Sequence, residues 1–168
     1  MGLVYRIIFK LEKMMKAERF RQLKNKIGYC GSNVRIDENC HILVPQKFKI
    51  GDNSSISSYT TIYATFGVTI GSNCLISSNC GISSYNHIQL SENRPGNIDQ
   101  DVKFSKPVII GDNVWIGMNA CILPGVEIGN NSIIGSGSVV TKSVPANEIW
   151  VGNPAKFVKK LIIKTGEE

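Results

Sequence analysis

The stretch IGDNVWIGMNACILPGVEIGNNSIIGSGSVV, from Ile110 to Val140, repeats every six residues. An aliphatic residue stands at positions 110, 116, 122, 128, 134 and 140, and a glycine follows four of these six residues. Neither the 3.6-residue turn of an α-helix nor the two-residue alternation of a β-strand produces such a period. The repeat predicts a solenoid, because stacked copies of a short unit can bury an apolar side that one copy cannot bury alone.

The same register extends towards the N-terminus through a series of isoleucines. They stand at positions 36, 42, 50, 56, 62, 70, 76 and 82, and a small or aliphatic residue follows four positions after most of them. A larger pattern, aliphatic-Gly-x-Asn, recurs after every third unit. Three strands and three turns per coil predict a triangular prism of parallel strands, with about five coils that start at positions 30, 50, 70, 110 and 128.

Three units are longer than six residues. The third unit has eight residues in each of the first two coils, and it has 28 residues, from Ile82 to Ile110, in the third coil. All three insertions follow a third strand, so they are expected to stack along one edge of the prism. Loops on a rigid scaffold commonly carry binding and catalytic residues, and the functional site is therefore expected at this edge.

The charge is concentrated at the N-terminus. Residues 1–26 contain eight Lys or Arg and two Glu, which accounts for the whole net charge of +6. A neutral body argues against a nucleic-acid binder, whose basic residues usually lie in the folded domain. No apolar run is long enough to span a bilayer, and the N-terminus is a poor signal peptide, so a cytoplasmic protein is expected.

The pattern divides the chain into three segments. Residues 1–26 have apolar positions three and four apart and predict a basic amphipathic helix. Residues 27–153 form the solenoid with its loop 88–107, and residues 154–168 form a short tail. The helix is expected to cover the open first coil, with contact to an anionic membrane as the alternative.

Metal and disulfide chemistry are poorly supported. The five cysteines are odd in number, no CxxC occurs, and the chain has only two histidines. Cys40, Cys74 and Cys80 occupy the small inward position of the repeat, where free cysteine packs well. No bound metal is expected.

His87 is the main catalytic candidate. It ends the last strand before the long loop, in SSYNHIQLSENRPG, and it is the neutral-pH proton acceptor nearest to that loop. His41 lies in the first coil, away from the long insertion, and is expected to be a surface residue. No Gly-x-Ser-x-Gly elbow is present, so a base acting directly on a bound hydroxyl is the simpler mechanism.

Three motifs carry a resemblance to a known family. SYNH, KPVIIGDNVWIG and ILPGVEIGNNSIIGSGSVVTKSVPANEIWVGNPAK resemble the hexapeptide-repeat acetyltransferases, and specifically their galactoside, maltose and polysaccharide O-acetyltransferase branch. The resemblance covers about residues 30–160. It implies an all-β solenoid, namely a left-handed parallel β-helix, assembled as a homotrimer with acetyl-CoA in the groove between subunits.

The resemblance also implies a role for each matching position. His87 would act as general base, and the backbone N–H groups of Gly117 and Met118 would stabilise the oxyanion. Residues that would contact acetyl-CoA are Trp115, Ser136, Thr141, Lys142 and Lys159. Residues that would contact the acceptor are Tyr85, Asn86, Thr65 and Arg94.

Two departures from the family pattern bear on the acceptor. Thr65 stands where galactoside-type members tend to have Asn, and a single basic helix replaces their folded N-terminal domain. These differences favour a saccharide of polysaccharide or cell-surface glycan biosynthesis as the acceptor. N-acetylation of an amino-sugar nucleotide, acetylation of a drug, and a non-catalytic β-helix assembly subunit remain as alternatives.

Overall fold

Short strands of two or three residues alternate with tight turns along most of the chain. The computed structural model describes residues 2–89, 92–93 and 101–162. One α-helix, α1 (Leu3–Lys26), precedes the strands. The strands wind into a parallel β-solenoid with three faces, as the repeat predicts.

Each face is a sheet that takes one strand from each coil. The first face contains β1 (Tyr29–Cys30), β4 (Phe48–Ile50), β7 (Val68–Ile70), β10 (Val108–Ile110) and β13 (Glu127–Ile128). The second face contains β2 (Arg35–Ile36), β5 (Ser55–Ile56), β8 (Leu75–Ile76), β11 (Trp115–Ile116), β14 (Ile133–Ile134), β16 (Glu148–Val151) and β17 (Lys156–Lys160). The third face contains β3 (His41–Leu43), β6 (Thr61–Tyr63), β9 (Gly81–Ser83), β12 (Cys121–Ile122) and β15 (Val139–Val140).

The solenoid is longer than the five coils that the repeat predicts. After the fifth coil, Val144 forms a parallel bridge with Ile128, and β16 pairs in parallel with β14. These contacts add a sixth, partial turn. Because no aliphatic-Gly-x-Asn unit starts this turn, the sequence pattern could not reveal it. The antiparallel strand β17 then pairs with β16 and closes that end of the second face.

The repeated isoleucines form the core. On the second face, Ile36 pairs with Ile56, Ile56 with Ile76, Ile76 with Ile116 and Ile116 with Ile134, so one residue type stacks through five coils. These side chains are 9% exposed or less. The small inward positions are also buried, among them Ser54, Thr60, Cys74 and Cys80.

The glycine and the asparagine of the repeat are each favoured for a different structural reason. A Cβ on Gly51 would lie 2.6 Å from the backbone nitrogen of Ser72 in the next coil, so only glycine allows the coils to approach this closely. Two residues later, Asn53 has φ +56°, a left-handed conformation that asparagine tolerates better than most side chains. Its side-chain oxygen accepts a hydrogen bond from the Asn33 amide, 3.1 Å away in the preceding coil.

We expect the inward position of a strand to determine stability. In β10, Ile110 is buried and its neighbour Ile109 points outward and is 43% exposed. Ile110→Ala should lower the free energy of unfolding by about 2–5 kcal/mol, because it removes buried methyl groups and leaves a cavity. Chemical denaturation measures the change, and Ile109→Ala is the matched control. Equal losses for the two variants would contradict the assignment of inward and outward sides.

The described contacts of α1 with the solenoid come from the C-terminal half of the helix. Phe20 and Leu23 pack against the core. Lys16 Nζ lies 2.9 Å from a carboxylate oxygen of Glu38, and Arg19 lies 3.7 Å from the other. The N-terminal half extends from the body with its apolar side chains exposed. Among the described residues, no helix is long and apolar enough to cross a bilayer.

Candidate active site

The insertions of successive coils stack along one edge of the prism, here called the loop edge. Its described residues are 44–47, 64–67, 84–89, 101–107, 123–126 and 141–143, which follow the five strands of the third face. Lys47 Nζ donates a hydrogen bond to the carbonyl oxygen of Thr65 at 2.8 Å. Phe66 stacks on Tyr85 with 6.0 Å between ring centroids. The two short insertions therefore support the start of the long one.

The two ends of the long loop are joined to each other. The backbone N–H of Lys106 donates to the carbonyl oxygen of Ser84 at 3.1 Å, and the N–H of Asn86 donates to Ser105 Oγ at 2.9 Å. Ser84 is buried and is held by the preceding coil, since its N–H donates to the carbonyl oxygen of Tyr63 at 2.9 Å. His87 thus extends from a loop base that is fixed on both sides.

A buried carboxylate holds the ring of His87. Asp101 Oδ2 lies 2.8 Å from His87 Nδ1 and also accepts a hydrogen bond from the Tyr85 hydroxyl at 2.8 Å. Asp101 Oδ1 accepts from the backbone N–H of Ile88 at 2.7 Å. Tyr85 meets the imidazole edge-on, with 4.8 Å between ring centroids. The side chain of His87 is 55% exposed and that of Asp101 only 1%, so the imidazole faces solvent with its support behind it.

The electrostatics of Asp101 determine which nitrogen of His87 can act as a base. Burial opposes ionisation of Asp101 most strongly. The hydrogen bonds from Ile88, Tyr85 and His87, with the charge of His87, outweigh it and lower the pKa of Asp101 below its ordinary value. An ionised carboxylate only accepts hydrogen bonds, so Nδ1 must carry the proton in their contact. In the neutral ring, Nε2 is then the free base.

A cavity of about 390 Å³ lies on the third face beside His87. His87 and Tyr85 form one end of it, and the outward sides of β6, β9 and β12 form its floor. The residues that line it are Thr61, Tyr63, Gly81, Ile82, Ser83, Tyr85, His87, Cys121, Ile122 and Leu123. An uncharged cavity with one oriented imidazole can receive a polar neutral molecule and remove a proton from it.

The residues predicted to contact acetyl-CoA fall into two groups. Trp115 and Lys159 lie on the second face, in one row of paired positions that runs Trp115, Ile133, Ile149, Lys159. Trp115 is 47% exposed, and its Nε1 donates to Ser77 Oγ at 3.3 Å. The turn between the second and third faces adds Ser136 to this group.

The second group lies on the loop edge. Thr141 and Lys142 follow β15 and are exposed. They are on the same edge as His87, two coils further along. Within one protomer, Trp115 and His87 extend from different sides of the prism, so the structure does not bring the two cofactor groups together in a single chain.

The two predicted oxyanion donors differ in what their backbone N–H groups bind. The N–H of Gly117 already donates to the carbonyl oxygen of Ile134 at 2.8 Å, as part of the stacking between coils, so it cannot also donate to a ligand. Within the described part of the chain, the Met118 N–H has no hydrogen-bond partner. Met118 lies beside Ser136, since its carbonyl oxygen accepts from the N–H of Gly137. Met118 therefore remains the available donor.

The residues predicted to contact the acceptor have separate positions. Tyr85 uses its hydroxyl to support Asp101. The side-chain oxygen of Asn86 accepts from the N–H of His87 at 3.0 Å. Thr65 lies in the adjacent insertion, with its carbonyl oxygen bound to Lys47. Arg94 is outside the described residues.

Comparisons with known proteins identify the family. The family model for the bacterial transferase hexapeptide, described as six repeats, matches residues 107–142. A Saccharomyces cerevisiae protein named as an acetyltransferase, YJL218W, is 35% identical over 160 residues, which cover 95% of this chain and 78% of that protein. The chain belongs to the hexapeptide-repeat acetyltransferases.

Two further similarities lie within the same group of acetyltransferases. A protein of Escherichia coli strain K12 named as the lipopolysaccharide biosynthesis O-acetyl transferase WbbJ is 40% identical over 114 residues, which cover 65% of this chain and 58% of that protein. A solved structure of galactoside acetyltransferase in complex with coenzyme A superposes with a TM-score of 0.77 at 32% identity. The superposed region covers 87% of this chain and 71% of the galactoside acetyltransferase chain.

Sequence reasoning missed two residues of this acetyltransferase site. Asp101 and Ser105 belong to the loop 88–107, which the spacing singled out, but neither follows the six-residue repeat. Ser105 Oγ donates to the Asp101 carbonyl oxygen at 2.8 Å and accepts from the Asn86 N–H, so it joins the two ends of the loop. The available signal was the presence of acidic residues in a loop that begins at a histidine.

Proposed function

We propose that this acetyltransferase is acetyl-CoA-dependent and transfers the acetyl group to a hydroxyl of a saccharide, with His87 as general base. The observation that carries the proposal is the 2.8 Å contact between His87 Nδ1 and the buried Asp101, which leaves Nε2 facing solvent beside a cavity. The galactoside and lipopolysaccharide O-acetyltransferase relatives support a saccharide acceptor. A precursor of a polysaccharide or cell-surface glycan is the acceptor class we favour.

The residues of this chain supply proton transfer and positioning. Acetyl-CoA supplies an acetyl group that is already activated as a thioester. His87 Nε2 removes the proton of the acceptor hydroxyl as its oxygen attacks the thioester carbonyl, and Asp101 stabilises the imidazolium that forms. The Met118 N–H is available to donate to the developing oxyanion. Both substrates must then be bound together, in a direct ternary complex without an acyl-enzyme.

The separation of the cofactor residues supports a site between subunits. Trp115 lies on the second face and Met118 and Ser136 lie in the turns that follow this face, whereas His87 and Lys142 lie on the loop edge. One acetyl-CoA can contact both groups if the second face of one protomer lies against the loop edge of its neighbour. Repeating this head-to-tail contact three times closes a ring, so we propose a homotrimer with three equivalent sites.

Acetyl-CoA binding tests the proposal without a known acceptor. Lys142→Gln should weaken the affinity about tenfold, because it removes one cation from the loop edge where the CoA phosphates are expected, and a hydrogen bond to a charged group contributes about 1.5–3 kcal/mol. Isothermal titration calorimetry measures the change. Lys49→Gln, at an exposed position of the first face, is the matched control and should bind like wild type.

The outcomes of this titration distinguish an enzyme from a non-catalytic assembly subunit. Binding by the wild type that weakens only in Lys142→Gln supports the proposal and justifies a screen of saccharide hydroxyls against amino-sugar acceptors. A folded protein that shows no binding to acetyl-CoA would contradict it and favour an assembly role for the solenoid.

A further inference from the structure

The N-terminal half of α1 carries an apolar stripe that the fold leaves uncovered. The side chains of the stripe are three or four residues apart and each is more than half exposed: Val4, Ile7, Ile8, Leu11, Met14 and Met15. Exposed apolar surface on this scale usually marks a binding surface. No described part of the chain packs against it.

The stripe is not an extension of the face that docks on the solenoid. That face consists of Lys16, Arg19, Phe20 and Leu23. At 3.6 residues per turn, its centre lies about 130° around the helix from the centre of the stripe. The helix therefore uses one side near its C-terminus to attach to the first coil and presents a different side near its N-terminus to something else.

The charge around the stripe indicates the occupant. Residues 1–16 contain four basic residues and one acidic residue, whereas residues 27–168 contain eleven of each sign. Arg6, Lys10 and Lys13 lie on the side of the helix away from the stripe, next to the exposed and stacked rings of Tyr5 and Phe9. An apolar stripe with a basic opposite face is typical of helices that lie in the surface of an anionic membrane.

A bundle of helices from other copies of the chain explains the stripe less well. The next positions along its line are polar, at Glu18, Gln22 and Asn25. The apolar pattern thus covers only about two heptads, fewer than the three or four that a coiled coil needs. Bundling would also bring together several segments of the same positive charge, which is unfavourable.

We propose that residues 3–16 bind the surface of a membrane that contains anionic phospholipid. The stripe lies at the boundary of the acyl chains, and the basic residues contact the headgroups. Because the helix is fixed to the first coil by its other side, the solenoid is held next to the bilayer. If the acceptor of the proposed function is a lipid-linked saccharide, this contact places the enzyme where that acceptor is found.

Vesicle sedimentation of the full chain tests the proposal. The probes are vesicles of phosphatidylcholine alone and vesicles with one part phosphatidylglycerol to two parts phosphatidylcholine. The protein should sediment with the anionic vesicles and much less with the neutral ones. The triple variant Arg6→Gln, Lys10→Gln, Lys13→Gln should lower the partition about 100-fold, since each basic residue near an anionic surface contributes about fivefold. Ile7→Ser with Leu11→Ser should lower it by about tenfold or more.

A charge-matched control separates this site from general electrostatic attraction. Arg35→Gln, Lys49→Gln, Lys156→Gln removes three exposed charges from the solenoid and should sediment like wild type. Equal loss in the control, or no preference for anionic vesicles, would overturn the proposal.

Light scattering without lipid tests the competing occupant. A fall in oligomer mass in Ile7→Ser with Leu11→Ser would assign the stripe to a contact between copies and overturn the membrane proposal, whereas an unchanged mass supports it. Sedimentation does not depend on acetyl-CoA binding, so failure of the proposed function would be recognised separately by calorimetry.

Discussion

His87→Ala should lower the turnover number about 10²–10⁴-fold, the usual contribution of a general base. Nε2 of His87 is the base that the contact with Asp101 leaves free, and a neutral sugar hydroxyl loses its proton too rarely in water to attack unaided. The loss should fall on the turnover number. Acetyl-CoA affinity should change little, because the ligand phosphates are expected at Lys142 and not at the imidazole.

The second histidine of the chain provides the control for this variant. His41 is exposed on β3, in the first coil, and among the described residues no carboxylate is paired with it. His41→Ala should retain wild-type turnover. Steady-state kinetics with an accepted saccharide, together with calorimetry on both variants, completes the test. Near-normal turnover in His87→Ala would exclude His87 as the base.

Asp101→Asn should lower turnover about 10- to 1,000-fold. The carboxylate fixes the ring orientation, selects the tautomer with the proton on Nδ1, and stabilises the imidazolium. The corresponding Asp→Asn change in serine proteases, where the partner histidine is also a general base, costs about 10⁴-fold. A smaller effect is expected here because Tyr85 and the loop base still hold the imidazole after the substitution.

The division of the loss between turnover and binding distinguishes positioning of His87 from a loss of structure. Asp101→Asn should lower the turnover number while the affinity for acetyl-CoA, measured by calorimetry, stays near the wild-type value, because the substitution leaves the expected phosphate site at Lys142 unchanged. Asp112→Asn is the matched control, since the Asp112 side chain also accepts a backbone hydrogen bond, from Ser72 at 2.7 Å, but at a turn away from the loop edge. An equal loss of turnover and of acetyl-CoA affinity would indicate a structural role only.

The lowered pKa of Asp101 also predicts how the loop responds to acid. In the unfolded chain the carboxyl has its ordinary pKa and binds a proton more readily than in the folded protein. Its interactions therefore contribute fully to stability above the ordinary pKa of aspartate and are lost as the pH falls through the lowered value. The contacts of Asp101 with His87, Tyr85 and Ile88 should thus persist at neutral and mildly acidic pH.

The scaffold could be predicted well from the sequence because each unit of the repeat can be recognised from a few neighbouring residues. A solenoid buries the same position of each unit, so the spacing of isoleucines such as Ile76, Ile116 and Ile134 predicts both the three faces and the inward side chains. The positions of the insertions follow from the same counting, and His87 is found where they stack. The sixth, partial turn was missed because Pro145 follows Val144 where the earlier coils have glycine, although Asn147 keeps the asparagine of the repeat, with φ +62° and a hydrogen bond from the Asn131 amide.

The rest of the site depends on contacts between residues that do not follow the six-residue repeat. Asp101 lies 14 positions after His87 in the sequence, and no spacing rule indicates that the two side chains meet. Gly117 matched the motif for an oxyanion donor, but only the structure shows that its N–H is already used between coils. The two sides of α1 likewise become distinct only when Phe20 and Leu23 are seen to dock and Ile7 and Leu11 are seen to be exposed.

The bond between Lys106 N–H and the Ser84 carbonyl oxygen has a consequence for how new specificities can arise. It closes residues 85–105 into a module whose two ends meet at one point of an otherwise regular scaffold. A different segment can replace this module, if it restores that junction, without changing the register of any coil. Grafting loops between such proteins should therefore exchange their acceptors while the folding of the prism is preserved, and natural variation in acceptor choice can accumulate in the same way.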